Sequence, residues 1–83
     1  MRSEDLQRIL RRKPFQPFRV HLKDGRCYDI RFPNHAVVGK TFFDIGIPMV
    51  NEEIPIFDHI DSVDPADIER VEAVETTPSS AAD

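Results

Sequence analysis

Several residue types that specialised folds and sites depend on are scarce in this chain of 83 residues. It has no tryptophan, one cysteine and only three glycines, which stand apart from one another. A single cysteine cannot form an internal disulfide, so we expect a reducing compartment, the cytoplasm. Isolated glycines exclude a glycine-rich phosphate loop, and the sequence contains no G-x-S-x-G, H-E-x-x-H or C-x-x-C motif. We therefore predict a protein that is not an enzyme and holds no cofactor.

Long apolar runs are also missing. No stretch of 18 apolar residues occurs, so no membrane-spanning helix is predicted, and the first residues precede nothing that resembles a secretory signal. Leu, Ile, Val and Phe nevertheless account for 24 of the 83 residues, above the roughly 20% floor below which disorder is expected. We expect one small soluble domain over residues 1–75 and a disordered tail over residues 76–83, which has no large apolar side chain.

The net charge of -4 hides an asymmetry along the chain. Residues 1–26 contain eight basic and three acidic residues, a net +5, whereas residues 27–83 contain three basic and twelve acidic residues, a net -9. The sequence leaves open whether the basic part pairs with the acidic part of the same chain or with a partner.

The N-terminal segment has the pattern of a short amphipathic helix. Ser3 suits the N-cap, acidic residues follow it, and Leu6, Ile9 and Leu10 form one apolar stripe. Pro14 disfavours helical geometry at the residue before it. We predict a helix over about residues 3–12, too short to be stable unless its stripe packs on the rest of the domain.

Two alternating segments on either side of Lys23-Asp24-Gly25 predict a β-hairpin over residues 18–32. A two-residue loop would place a carboxylate on the apolar face. A three-residue loop instead pairs Val20 with Tyr28 and gives Gly25 the left-handed position that such a loop needs. This register also sets Arg19 opposite Asp29, and His21 opposite Cys27, on the outer face.

The rest of the chain is rich in short extended segments. Residues 36–38 and 41–47 look like strands, residues 48–55 like a loop, and residues 69–74 like a last strand after a turn capped by Asp64. Residues 56–63 fit either helical or strand spacing, and their β-branched content favours a strand. We predict a mainly β (α+β) fold, in which the N-terminal helix precedes a small five-stranded SH3/Sm-like antiparallel barrel.

The segment PFQPFRVHLKDGRCY at residues 14–28 resembles a group of short bacterial proteins of unestablished function that share the pattern P-F-x-P-F-R-x-x-L-x-D-G-R-x-Y. The later matches are Val38-Gly39, Phe57-Asp58 and residues 68–72. The first hairpin is also similar to that of Sm-like and SH3-like barrels, which often carry a V-x-L-x-D-G-x turn. The resemblance implies a barrel, but it implies no activity, and the RNA-binding signatures of Sm-like proteins are absent.

The basic residues of the N-terminal third form one candidate contact site. They could hold nucleic-acid phosphates with Phe15, Phe18 or Tyr28 stacking nearby, although an acidic chain is a poor match for that role. They could equally form a solvated helix face, or meet the acidic segment 58–72 of the same chain or of a second copy. The candidate residues are Arg8, Arg11, Arg12, Lys13, Arg19 and Arg26.

Two other clusters have simpler explanations than a metal site or a catalytic site. His21 and Cys27 supply two metal ligands at most, and as a base and a nucleophile they lack a visible oxyanion hole. Four carboxylates at three-residue spacing do not match a calcium loop and serve capping and solubility. They are Asp58, Asp61, Asp64 and Asp67. We predict no metal.

The segment around Pro48 and Pro55 contains more apolar residues than a connector needs. Part of it can cover the barrel, and Met49 and Val50 are the best candidates for contact with a partner. We therefore predict a non-enzymatic module that acts through protein–protein contacts, including self-association, with no membrane partner. Nucleic-acid binding through the basic helix and first hairpin is the alternative.

Overall fold

The strands of the protein form two antiparallel sheets. The computed structural model describes residues 1–50 and 52–74, so the predicted disordered tail lies outside it. Strands β2, β1 and β6 form the first sheet in that order, and strands β3, β4 and β5 form the second. The elements in chain order are α1 (Ser3–Leu10), β1 (Phe18–Leu22), β2 (Cys27–Ile30), β3 (Ala36–Val38), β4 (Phe43–Pro48), β5 (Phe57–Val63) and β6 (Ile68–Ala73).

The prediction of a mainly β fold with an N-terminal helix is confirmed, but the predicted number of five strands is wrong. Residues 1–50 and 52–74 contain six strands. Pro33 begins a short 3₁₀ turn, Pro33–His35, between β2 and β3, because proline has no N–H with which to continue a ladder. No ladder joins the two sheets within these residues. Closure into a barrel therefore stays a prediction.

The hairpin register predicted from the sequence is confirmed. Val20 pairs with Tyr28, Phe18 pairs with Ile30, and His21 lies opposite Cys27. The loop has three residues, since the N–H of Leu22 donates to the carbonyl of Arg26 at 2.8 Å. Gly25 has a φ of 97°, the positive value that this loop requires of its last residue.

Replacement of Gly25 by valine is expected to destabilise the domain by about 1–3 kcal/mol, because a β-branched residue is strained at positive φ. An added Cβ meets nothing within 4 Å, so the cost is conformational rather than steric. Urea unfolding of the variant measures it, with Lys23→Val in the same loop as the control. Equal stability of the two variants would contradict this account of the loop.

The predicted helix is too long by two residues and its predicted cap is wrong. Helix α1 ends at Leu10, and Arg2 rather than Ser3 occupies the N-cap position. The Ser3 hydroxyl donates instead to the carbonyl of Lys40 at 3.0 Å. This tertiary hydrogen bond satisfies the hydroxyl in place of a local cap, and it ties the start of the helix to the loop between β3 and β4.

The core lies between the two sheets and is closed by the helix. The first sheet, the second sheet and α1 all contribute buried apolar side chains. Alternation along β1 explains the pattern, because every second residue of that strand is buried. The buried apolar residues are Leu6, Leu10, Phe18, Val20, Leu22, Ile30, Ala36, Phe43, Ile45, Val63 and Ile68.

The second half of the chain confirms two further predictions. The segment with ambiguous spacing forms a strand, β5, which pairs with β4. The predicted turn is a short 3₁₀ turn, Pro65–Asp67, and the Asp64 carboxylate accepts a hydrogen bond from the N–H of Ala66 at 2.9 Å. The turn leads directly into β6, which pairs with β1.

Candidate functional site

The outer face of the first sheet is covered by charged side chains that pair with one another. Arg19 on β1 donates two hydrogen bonds to Asp29 on β2, at 2.6 and 3.1 Å. Arg31 lies 3.4 Å from the same carboxylate. The hydrogen bond from Arg19 is the main reason that the pKa of Asp29 lies below its ordinary value. The predicted pairing of Arg19 with Asp29 is therefore confirmed, and a phosphate would have to compete with Asp29 for this guanidinium.

A chain of three polar side chains crosses the same face. The Nε2 of His21 lies 2.5 Å from the Glu72 carboxylate on β6, and its Nδ1 lies 3.3 Å from the sulfur of Cys27. With Nε2 donating to Glu72, Nδ1 accepts from the thiol. The hydrogen bond from His21 also lowers the pKa of Glu72. Sequence reasoning paired His21 with Cys27 but missed Glu72, because the pairing of β6 with β1 has no local signal.

This chain of side chains has the order of a nucleophile, a base and an orienting carboxylate. It lies on an open sheet face, where Cys27 and Glu72 are both exposed, so nothing there excludes water from a reaction. Within residues 1–50 and 52–74 no group of three or more His, Cys, Asp or Glu side chains is arranged to hold a metal ion.

The six predicted basic residues do not form one cluster. Arg8 pairs with Asp5 at 3.2 Å, and Arg26, at the hairpin tip, pairs with Asp24 at 2.8 Å. Arg19 lies apart on the first sheet. Three exposed cations at and beyond the end of α1 form no ion pair with any other described residue. They are Arg11, Arg12 and Lys13.

A wide surface cavity lies between α1, the loop after β3 and the turn before β6. Its volume is about 880 Å³. The cations that line it are Arg2, Arg8, Arg11 and Lys40, and the carboxylates are Glu4 and Asp64. Arg2 lies 3.7 Å from Glu4, so part of the positive charge is already compensated.

Large exposed apolar side chains concentrate on the second sheet and its loops. Eight such residues occur among the described ones, and Met1 is the only one outside residues 37–60. Met49 and Val50, the predicted contact residues, are 66% and 61% exposed. We call the following seven residues the apolar patch: Val37, Phe42, Met49, Val50, Ile54, Ile56 and Ile60.

Two glycines allow aromatic rings to lie against this sheet. A Cβ at Gly46 would lie 2.5 Å from the Phe57 ring, and a Cβ at Gly39 would overlap the Phe42 ring. Between the rings lies a groove of about 230 Å³. Asp44 on β4 lines it, and the Oδ1 of that carboxylate is buried without a hydrogen-bond partner among the described residues. Sequence reasoning missed Asp44.

The loop between β4 and β5 is held to the Pro33–His35 turn by hydrogen bonds at Glu52 and Glu53. The buried His35 donates from Nε2 to the carbonyl of Glu52 at 2.6 Å, and Asn34 donates to the carbonyl of Glu53. The His35 ring also packs edge-on against Phe57, with ring centroids 5.5 Å apart. These contacts hold the backbone at Glu52 and Glu53, and the nearby side chains of Val50, Ile54 and Ile56 are exposed.

The four predicted carboxylates serve separate local roles rather than one site. Asp58 accepts a hydrogen bond from His59, and Asp64 caps its turn. Asp61 accepts a hydrogen bond from the Tyr28 hydroxyl at 2.7 Å, which raises the pKa of Tyr28 and connects the two sheets. The fourth carboxylate, Asp67, lies exposed at the end of the turn that Asp64 caps.

No family model matches the chain, and neither a curated protein nor a solved structure matches it. The resemblance to short bacterial proteins and to SH3-like and Sm-like barrels therefore stays a prediction. No helix within residues 1–50 and 52–74 is long and apolar enough to cross a membrane.

Proposed function

We propose that this chain is a non-enzymatic β module that acts through protein–protein contacts, and that it associates with copies of itself through the apolar patch. The observation that carries the proposal is the location of exposed apolar side chains. Seven of the eight belong to residues 37–60, which form the second sheet and its loops. Exposed apolar side chains that are concentrated in one region are typical of interaction sites, because their exposure to water is unfavourable until a partner covers them.

The contrast between the two sheets supports the choice of surface. The first sheet has an outer face of paired charges, including Arg19, Asp29 and Glu72. Such a face is already satisfied in water and gains little from burial. The second sheet instead exposes large apolar side chains, among them Val37 and Ile60, and the centres of protein interfaces are likewise rich in apolar and aromatic side chains.

Strand β5 adds a second element to this surface. It is an edge strand of seven residues that pairs only with β4 among the described strands. Ile60, near its middle, is 63% exposed. Unpaired edge strands with exposed apolar side chains readily pair with other chains. An interface at the second sheet would cover this edge together with the apolar patch.

Sedimentation velocity over a series of protein concentrations tests self-association. We expect oligomers that dissociate on dilution, and we expect Ile56→Ser with Ile60→Ser to weaken association by tenfold or more. Both side chains are mainly exposed, so the double variant should fold normally. The matched control is Glu69→Ser, on the edge strand of the other sheet. A strict monomer at every concentration would contradict the proposal.

Nucleic-acid binding is a second candidate, and the cationic cavity beside α1 is the observation that favours it. Arg8, Arg11 and Lys40 line this cavity and could contact phosphates. Fluorescence anisotropy with a labelled single strand at low salt tests it. Binding that Arg11→Glu abolishes, and that Lys23→Glu at the hairpin tip does not, would support this function. Absence of binding would remove it.

We further propose that the two sheets are the halves of one SH3-like or Sm-like barrel in a cytoplasmic, bacterial protein. The chain order supports this architecture, since β2 continues through a turn into β3, and β5 continues through a turn into β6. The hydrogen bond from Tyr28 to Asp61 connects the same two sheets. One exposed cysteine, Cys27, suits a reducing compartment.

A further inference from the structure

Asp44 is a carboxylate in an unfavourable position. It lies on β4, where it pairs with Val37 on one side and Ser62 on the other. Its Oδ1 is covered by neighbouring atoms and accepts no hydrogen bond from any described residue. A partly desolvated carboxylate without a donor destabilises a protein, because the water removed from it has not been replaced. Because Asp44 lines a groove at the surface, a donor or cation that approaches the carboxylate from this groove would reduce this cost.

The surroundings of Asp44 strengthen its preference for a cation. The groove around it is lined largely by apolar side chains, among them Val37, Phe42, Phe57 and Ile60. Apolar walls lower the local dielectric constant and so strengthen the attraction between the carboxylate and a cation that approaches it. The titratable neighbour in the lining is His35, and its Nε2 is already engaged by the carbonyl of Glu52.

The segment after α1 has the matching chemistry. Arg11, Arg12 and Lys13 are exposed and form no ion pair with other described residues. Phe15, two residues further on, is only half-buried and can add an apolar contact. Each copy of the chain thus has one cationic segment and one carboxylate groove that the described residues leave without a partner.

We propose that the groove around Asp44 binds the cationic segment of residues 11–15 from a second copy of this chain. This inference rests on the proposed self-association and names the two surfaces that meet. The contact is heterologous, because a groove on one copy receives a different surface of the next. An open arrangement leaves one groove and one cationic segment free at its ends and grows as concentration rises, whereas a closed ring fills every groove.

Two variants, each lacking one of the two surfaces, test the proposal by sedimentation velocity. Asp44→Asn removes the carboxylate charge and keeps its shape, whereas Arg12→Glu with Lys13→Glu reverses the charge of the segment. We expect each variant alone to be monomeric, with association weakened tenfold or more. An equimolar mixture should form a dimer and nothing larger, since only one intact groove and one intact segment can meet.

Controls separate this contact from general effects of charge and folding. Lys23→Glu with Lys40→Glu makes the same change in net charge at two other exposed cations, and it should associate as the unmodified protein does. Thermal unfolding should show that Asp44→Asn is at least as stable as the unmodified chain, because the substitution removes a poorly solvated charge.

The outcomes distinguish this inference from the proposal on which it rests. If the unmodified chain associates and both variants associate equally well, the inference is wrong and self-association through the apolar patch stands. If each variant is monomeric but their mixture stays monomeric, the contact is not heterologous and the inference is again wrong. A monomeric unmodified chain overturns both.

Discussion

Replacement of Phe43 by alanine is expected to lower the free energy of unfolding by about 3–5 kcal/mol. Phe43 is fully buried on β4, between Val38 on β3 and Val63 on β5. Truncation of a buried phenylalanine costs about 3–5 kcal/mol through lost burial and the cavity that remains. Folded domains have a total stability of about 5–15 kcal/mol, and small domains bury less of their surface than large ones. The truncation therefore removes a large share of the available stability and should lower the urea midpoint strongly.

Urea unfolding followed by circular dichroism measures this effect, and the adjacent residue supplies the control. Phe42 is 39% exposed and covers Gly39, so Phe42→Ala should cost about 1 kcal/mol or less. Similar midpoints for the two variants would mean that the second sheet is not packed through Phe43. The comparison also separates loss of the core from loss of the apolar patch, to which Phe42 belongs.

The first hairpin was predictable because its information is local. The alternation of Phe18, Val20 and Leu22, together with the glycine at position 25, permits only one register that keeps carboxylates off the core face. The turn capped by Asp64 was predictable for the same reason, since its capping residue and its proline are neighbours in the chain. Local chemistry of this kind can be deduced from a single sequence.

Contacts between distant residues could not be deduced in this way. The Ser3 hydroxyl bonds to the carbonyl of Lys40, 37 positions further on, and no local pattern distinguishes that bond from a helix cap. Glu72 reaches His21 across 51 positions because β6 pairs with β1. The division into two sheets depends in the same way on the turn at Pro33, which directs the chain from one sheet to the other.

The candidate contact surface was predictable in part. Met49 and Val50 stood out in the sequence because apolar residues beside prolines exceed the needs of a loop, and both side chains are exposed. Asp44 could not be recognised, since its position in an alternating strand looks like that of an ordinary solvated carboxylate. Its burial arises from an apolar lining that comes from other parts of the chain.

The charge asymmetry of the sequence persists in the folded chain. Among the described ion pairs of lysine and arginine, only those of Arg19 join the basic part at residues 1–26 to the acidic remainder, through Asp29 and Glu72. The other pairs are formed within one part, as for Arg8 with Asp5. Within the described residues, lysine and arginine ion pairs thus join the two charged parts at one basic residue only, and Arg11, Arg12 and Lys13 stay exposed for contacts between copies.

Replacement of Leu6 by alanine is expected to release α1 from the sheets, at a cost of about 2–5 kcal/mol. Leu6 is completely buried and, with Leu10, attaches the eight-residue helix to the core. A helix of this length is not stable in water without such packing. Loss of this anchor should therefore disorder the helix. The cationic cavity beside the helix would then be lost, and residues 11–15 would no longer be held in place by it.

Hydrogen exchange of the α1 amides, read together with urea unfolding, measures this release. We expect exchange in α1 to approach that of an unfolded peptide, with a smaller loss of protection in β1 and β4. Gln7→Ala, at an exposed position of the same helix, should leave both measurements nearly unchanged. If the Leu6 variant keeps full protection in α1, Leu6 is not the main anchor, and the helix is held chiefly by Leu10 and the Ser3 hydrogen bond.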